Sequence, residues 1–415
     1  MPMLFRFCLY GFLKNQQYYD AFIILAFRER GLSFTGIGLL VAFREVCINI
    51  MEIPTGAIAD VCGRRRSMLL SFLSYCISFI IFGLSQRLWM FFAAMFFFAI
   101  GEAFRTGTHK ALIFDWLEHQ NRSHERTRVY GLTRSWSKIG SAVSVVLAAI
   151  AVFSTQSFSA IFFFCLIPYT MNIINLLTYP SYLDGLRHNK ASIRRVLQTL
   201  LSALVDSIRS RKMRGLFAES MSFEGLYKAA KDYLQPALRA AAISLPLFLT
   251  YNDTQRSAIL VGAVYCVLHL LSSFASRHSH TLMTWAGSEE RGATGLWWQY
   301  LASFLLLSVG VVGGAKALVI AMFVVLAFLQ NFWRPIMVSR IAHQTKTSQM
   351  ATVLSAQSQS KALFAAIIAP FLGIAVDKAS NVSKELRLFP VAAMGVIVCI
   401  LMIASRRRGK SSPVD

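Results

Sequence analysis

The chain has 415 residues, 55% of them hydrophobic and 15% charged, with a mean hydropathy of +0.52. A soluble core does not need that much apolar surface, so the composition excludes a water-soluble globular protein and points to an integral membrane protein. The formal net charge of +22 does not indicate a nucleic-acid partner, because the cations are spread over segments separated by apolar runs instead of lying on one face among stacking aromatics.

Apolar runs close to the ~20 residues that cross a bilayer recur along the chain. In order they fall at residues 4–27, 34–57, 67–85, 88–114, 129–153 and 158–178. The first carries Lys14, Gln16, Gln17 and Asp20, lacks a small-residue cleavage site, and is expected to stay in the mature protein. The second carries Arg44, Glu45 and Glu52, the fourth Glu102, Arg105 and Lys110, and the fifth Arg134 and Lys138. A polar break from Pro180 to about Arg214 follows. Within it Ile193, Val196, Leu197, Leu200, Leu201, Leu204 and Ile208 repeat at helical spacing, which predicts an amphipathic helix on the inner leaflet. Beyond it come residues 216–234, 257–275, 294–314, 317–339, 351–376 and 388–405, giving about twelve spans. The seventh holds Glu219, Glu224, Lys228, Lys231 and Asp232, the tenth Arg334 and the eleventh Lys361.

This organisation predicts an N-terminal six-helix bundle over 1–179, a cytoplasmic linker over 180–214, a C-terminal six-helix bundle over 215–405 and a basic tail over 406–415. The cysteines fall in apolar spans, apart from Cys62, and show no Cys-x-x-Cys spacing. His278 and His280 have no third ligand nearby, so neither a metal nor a cofactor is expected.

Between the second and third spans the sequence reads Gly56-Ala57-Ile58-Ala59-Asp60-Val61-Cys62-Gly63-Arg64-Arg65-Arg66. The two glycines allow a tight reversal, and the arginine run holds it on the cytoplasmic side. Gly-x-x-x-Asp-x-x-Gly-Arg-Arg at this junction resembles the signature loop of the major facilitator superfamily, a large family of secondary transporters. The resemblance implies an all-α fold of two pseudo-symmetric six-helix bundles that alternate access to a midplane site. It further implies that every third helix is peripheral while the others line a cavity. Asp60 would tie the second and third helices to the neighbouring half when the inner gate closes, with Arg64 and Arg65 matching the family's basic pair. Gly56, Asp60, Gly63, Arg64 and Arg65 are thus the expected gating residues. Two departures weigh against multidrug efflux. Glu102-Ala103-Phe104-Arg105-Thr106-Gly107 keeps an arginine and a glycine of the fourth-helix motif without its spacing, and the fifth span offers Ile139-Gly140-Ser141 where drug antiporters carry Gly-Pro.

With the amino terminus inside, roughly 23 Lys and Arg fall in inner segments and roughly 8 in outer ones, the positive-inside bias. A multi-pass protein of the cytoplasmic (inner) membrane with both termini in the cytoplasm is therefore expected.

Spans three, six, nine and twelve carry no Asp, Glu, Lys or Arg, as peripheral helices should. Ser135-Trp136-Ser137-Lys138 in span five is echoed by Ser358-Gln359-Ser360-Lys361 in span eleven, and Lys14 in span one by Lys228 in span seven. Agreement in span number is what an internal repeat produces. Lys138 lies about 9 residues from the inner end of its span, or roughly 14 Å, and Lys14 and Lys361 come out similarly. All three sit near the middle of a layer ~30 Å thick, where a cation must face protein or water. Lys138 and Lys361 are expected to hold one anionic group of a solute, with Lys14, Lys228, Arg105 and Arg334 following. Asp20 is the first candidate for ion coupling, with Glu45, Glu224 and Asp232 as rivals. A pair with Lys14 or Arg44 is the structural alternative for Asp20. Arg44 and Glu45, like Lys231 and Asp232, point about 100° apart on a helix, so each is expected to need a partner on another span.

The expected function is secondary active transport, proton-coupled and by alternating access, of a small polar organic solute with anionic character. The partners are membrane lipids, the solute and the coupling ion, and a monomer is expected to suffice. Such a carrier is not an enzyme. The alternatives are an efflux pump for amphipathic drugs or metabolites, for which 33 Phe and 13 Tyr would be suited, and a transporter-like receptor or lipid-handling membrane protein.

Overall fold

Long apolar runs have one way to satisfy their backbone away from water, which is to hydrogen-bond within themselves as helices. The computed structural model describes residues 2–106, 108–184, 210–246, 248–345 and 350–411, and every regular element among them is helical. The first half contains α1 (Met3–Lys14), α2 (Ile23–Glu29), α3 (Phe34–Cys62), α4 (Arg64–Leu84), α5 (Leu88–Arg105), α6 (Thr108–His119), α7 (Arg126–Thr155) and α8 (Ile161–Leu177). The second begins with α9 (Arg211–Ser220), a π turn (Met221–Gly225), α10 (Leu226–Ala230), a 3₁₀ turn (Lys231–Tyr233) and α11 (Leu234–Ser244). It continues with α12 (Asp253–Ala286), α13 (Glu289–Val312), α14 (Lys316–Ala342), α15 (Met350–Val382) and α16 (Phe389–Ser411). Among the described residues, nine stretches are long and apolar enough to cross a membrane, and Ile161–Leu177 is a shorter apolar helix. The amphipathic helix expected at 193–208 lies outside the described residues.

Three expected spans are not continuous. In span one, α1 stops at Lys14 and α2 starts at Ile23. The polar side chains at the break compete for backbone groups: Asn15 Nδ2 donates to Gly11 O at 3.1 Å and Ser137 O at 3.0 Å, and Gln16 Nε2 donates to Gly140 O at 3.1 Å. In span four, Thr106 turns extended after α5 and its hydroxyl donates to Glu102 O at 3.0 Å. Span seven changes from α to π at Met221 and to 3₁₀ at Lys231, then runs on to Ser244. The signature loop also differs from expectation. Helix α3 continues through Gly56 and Asp60 to Cys62, so Gly56 makes no reversal; the turn rests on Gly63, whose φ of 98° glycine alone adopts freely.

The chain packs as two units, Met1–Gly31 with Phe43–Gln198 and Thr250–Cys266, and Leu32–Ala42 with Thr199–Leu249 and Val267–Asp415. In the first unit α4 packs closely on α5 and α8, the driving term in lipid being close contact and interhelical hydrogen bonding. Ser71 Oγ donates to Gly101 O at 2.5 Å and Ser78 Oγ to Ala94 O at 2.8 Å, while the buried rings of Phe72, Tyr75, Phe79 and Tyr169 interlock edge to face. In the second unit the Phe223 ring lies flat between Tyr300 and Trp333, at 4.0 and 4.1 Å between centroids. The N-terminal end of α3 belongs to this unit. Asp377 on α15 accepts from Phe34 N at 3.0 Å, Thr35 N at 2.7 Å and the Thr35 hydroxyl at 2.7 Å, and so caps that helix.

Candidate functional site

Each unit contains a charged centre beside one of the interrupted spans, partly exposed in the first and buried in the second. Interrupted helices in corresponding positions of two repeats mark the binding region in transporter folds, because the freed backbone and polar side chains line a cavity.

In the first unit the centre is built at the end of α5. Glu102 and Arg105 are three residues apart and therefore share a helix face. The Arg105 guanidinium pairs with Glu102, and its Nε also donates to the Tyr75 hydroxyl at 3.2 Å, while that hydroxyl donates to the other Glu102 oxygen. Lys14, the last residue of α1, lies within electrostatic reach of both. His109 of α6 stacks on Tyr10 at 3.7 Å, and its buried Nε2 has no partner among the described residues. Two basic side chains thus lie near one carboxylate, and 28% of the Glu102 side chain is exposed against 15% of Arg105.

In the second unit the centre joins two helices. Lys361 Nζ on α15 lies 2.8 Å from Glu224 Oε2. The other carboxylate oxygen accepts from Ser220 Oγ at 3.1 Å and Gln357 Nε2 at 3.2 Å. Glu224 is 4% exposed, and it rides on the π turn, a wide turn that is costly to keep and recurs at functional sites. Gly225 lets the turn approach closely, since a Cβ there would lie 2.9 Å from Lys361 O. Below this centre Arg340 of α14 donates to Glu219 at 2.7 Å and to Glu290 at 2.8 Å, and Arg406 of α16 bonds the same two acids.

The remaining expected residues fall as follows. Lys138 on α7 and Arg334 on α14 are exposed, and Lys228 on α10 is half-buried. Asp20 lies half-buried in the break of span one. Glu45 is buried and accepts from its neighbour Arg44 at 2.8 Å, and Asp232 pairs with Lys231 at 3.1 Å. Both adjacent pairs therefore meet although their positions are about 100° apart, because a long flexible cation bends back across that angle. Arg64 pairs with Asp115 of α6, and Arg65 Nη1 donates to Tyr179 O at 2.6 Å. Asp60 lies in the last turn of α3, with its side chain outside what is described. The side chains of His278 and His280 are likewise outside it, and no three described His, Cys, Asp or Glu converge as metal ligands would.

Sequence reasoning assigned no role to Glu102, Tyr75, His109, Ser220 or Gln357. The three-residue spacing of Glu102 and Arg105 was a usable signal. Nothing in the sequence joins Gln357 to Glu224.

The family model described as Major Facilitator Superfamily matches residues 7–370. No curated protein matches the sequence significantly. Among solved structures, the fold is similar to the nucleoside transporter NupG, with a TM-score of 0.78 at 11% identity over 100% of this chain and 100% of that one. It is also similar to a POT family transporter in complex with 5-aminolevulinic acid, with a TM-score of 0.71 at 14% identity over 98% and 96% of the two chains.

Proposed function

The chain belongs to the major facilitator superfamily, and from that premise we propose that it is a proton-coupled secondary transporter whose coupling step is the making and breaking of the Glu224–Lys361 pair. One observation carries this reading: a buried acid on a π turn, 2.8 Å from a lysine of another helix. A proton arriving at Glu224 cancels the charge that holds Lys361, and the ammonium is then available for the carboxylate or phosphate of a solute. When the proton leaves on the other side, the pair re-forms and expels the solute. The empty and the doubly loaded states both avoid an uncompensated charge in a water-poor interior, whereas binding of proton or solute alone leaves one. That asymmetry couples the two flows.

The excess of basic side chains around Glu102, namely Lys14 and Arg105, supports an anionic group on the solute. The 5-aminolevulinic acid held by one structural neighbour is a small carboxylate of the class this reading expects. Lys138, Lys228 and Arg334 are further candidates for solute contact, and Asp20, Glu45 and Asp232 are the alternative coupling acids. Arg64 with Asp115 supports a gating role for the turn at Gly63, with Asp60 as its acid. In this reading a monomer in the cytoplasmic membrane, with both termini inside, does the work.

The test is transport in proteoliposomes by Glu224→Gln, using a labelled solute found by counterflow screening of anions and zwitterions. The variant should support counterflow yet lose accumulation driven by a pH gradient. Full proton-driven accumulation would move the coupling role to Asp20, Glu45 or Asp232.

A further inference from the structure

In the first unit, α1 and α8 run antiparallel and leave a groove of about 390 Å³ between them. Its walls are Leu9, Leu13, Met171 and Ile174, and the last two are 50% and 59% exposed, as side chains facing lipid are. One end differs in chemistry. There Arg6 lies beside Asn175 and Thr178, on the same side of the chain as the arginine run at 64–66.

Arg6 is fixed in place. Its guanidinium donates to Thr178 O, and its own carbonyl accepts from Asn175 Nδ2 at 3.1 Å and from the Tyr179 hydroxyl at 3.2 Å. Arg65 donates to the next carbonyl, Tyr179 O, and keeps a buried Nε with no partner among the described residues. A guanidinium carries five N–H donors, so both arginines retain donors to offer. Neither makes an ion pair among the described residues, whereas the adjacent Arg64 has Asp115. Arg6 lines the end of the apolar trough and Arg65 bonds the carbonyl next to the one that holds Arg6, so two uncompensated cations meet there, which is half of an interaction. From Arg6 to Leu13 the trough runs seven residues of helix, about 10 Å, which matches the upper part of an acyl chain beneath its headgroup.

We infer that this groove binds an anionic phospholipid, with the phosphoryl headgroup on Arg6 and Arg65 and an acyl chain along Leu9, Leu13, Met171 and Ile174. The apolar trough selects a lipid over a soluble anion, and the missing counter-charge selects an anionic over a zwitterionic headgroup. The site includes no residue of either charged centre, and a bound lipid would brace α1 against α8.

The test uses the full-length protein in detergent, with palmitoyl-oleoyl phosphatidylglycerol, the matching phosphatidylcholine or inorganic phosphate added, read by native mass spectrometry and thermal unfolding. The wild type should retain phosphatidylglycerol in preference to phosphatidylcholine and be stabilised by it, and inorganic phosphate should do nothing. Arg6→Gln should cut the preference about fivefold, the factor expected for one cation near an anionic headgroup. Should that variant fold poorly for lack of the Thr178 contact, Ile174→Trp decides, because it fills the trough from an exposed position and leaves Arg6 alone; it should abolish preferential retention. Equal retention of the two lipids by the wild type, a preference that survives Ile174→Trp, or stabilisation by phosphate alone would each overturn the assignment.

Discussion

In the first unit the glycine three residues ahead of Lys14, Gly11, lies against Thr133 O and the Ser137 side chain of α7; in the second, the glycine three residues ahead of Lys228, Gly225, lies against Lys361 O of α15. Both contacts fall at the matching Ser-x-Ser-Lys segments. On this shared scaffold the acids are placed differently. Glu102 and Arg105 sit on one helix three residues apart, so they stay together whatever α5 does. Glu224 and Lys361 are 137 residues apart on different helices, so any shift between the π turn and α15 lengthens their bond. A local pair keeps a site charged in a fixed way. A pair across helices can serve as a switch.

The largest expected effect comes from breaking the second pair from one side. Lys361→Gln leaves a buried carboxylate without its partner and should destabilise the protein by about 3 to 5 kcal/mol, while Glu224→Gln combined with it should recover most of that. Denaturation of the three variants in one detergent checks the cycle. Additive losses would mean that the pair has no energetic identity.

Next come the glycines. A Cβ at Gly225 would lie 2.8 Å from the Phe364 ring, and one at Gly11 2.9 Å from Thr133 O. Alanine at either position should cost about 1 to 3 kcal/mol. Similar losses in melting experiments would support a common scaffold, and a tolerant Gly11 would restrict it to the second unit.

Arg105→Gln should cost less stability than Lys361→Gln, because Glu102 is partly exposed and keeps the Tyr75 hydroxyl; a loss of about 1 to 2 kcal/mol is expected. Its larger consequence should be weaker solute binding with pH-driven coupling intact, measured as a raised KM for uptake. A lost pH response in this variant would place the switch in the first unit.

The smallest effect is expected from Gln357→Leu. This removes one neutral donor from Glu224 and should cost about 1 kcal/mol, read as a small drop in melting temperature.

The helical spans were legible because long apolar runs leave the backbone no other solution. The interruptions were not. Hydropathy averages over a window, whereas the break after Lys14 depends on whether Asn15 and Gln16 find carbonyls on α7, and the one after Arg105 on a single threonine. The π turn at Met221–Gly225 has no sequence signature of its own. Lys361 and Glu224 were both legible as intramembrane charges, the lysine assigned to the solute by its depth and the acid to the coupling ion by its chemistry, but nothing in the sequence joined them as a pair. Gly56 misled because a glycine in a motif suggests a turn, and only the backbone at Gly63 needs one.

The most direct test is the proton itself. Solute added to purified protein in weakly buffered detergent, with a pH indicator, should draw about one proton per solute bound. Glu102→Gln should do the same, and Glu224→Gln should bind solute without any proton uptake. Undiminished proton uptake by Glu224→Gln would contradict the assignment of the switch to the pair with Lys361.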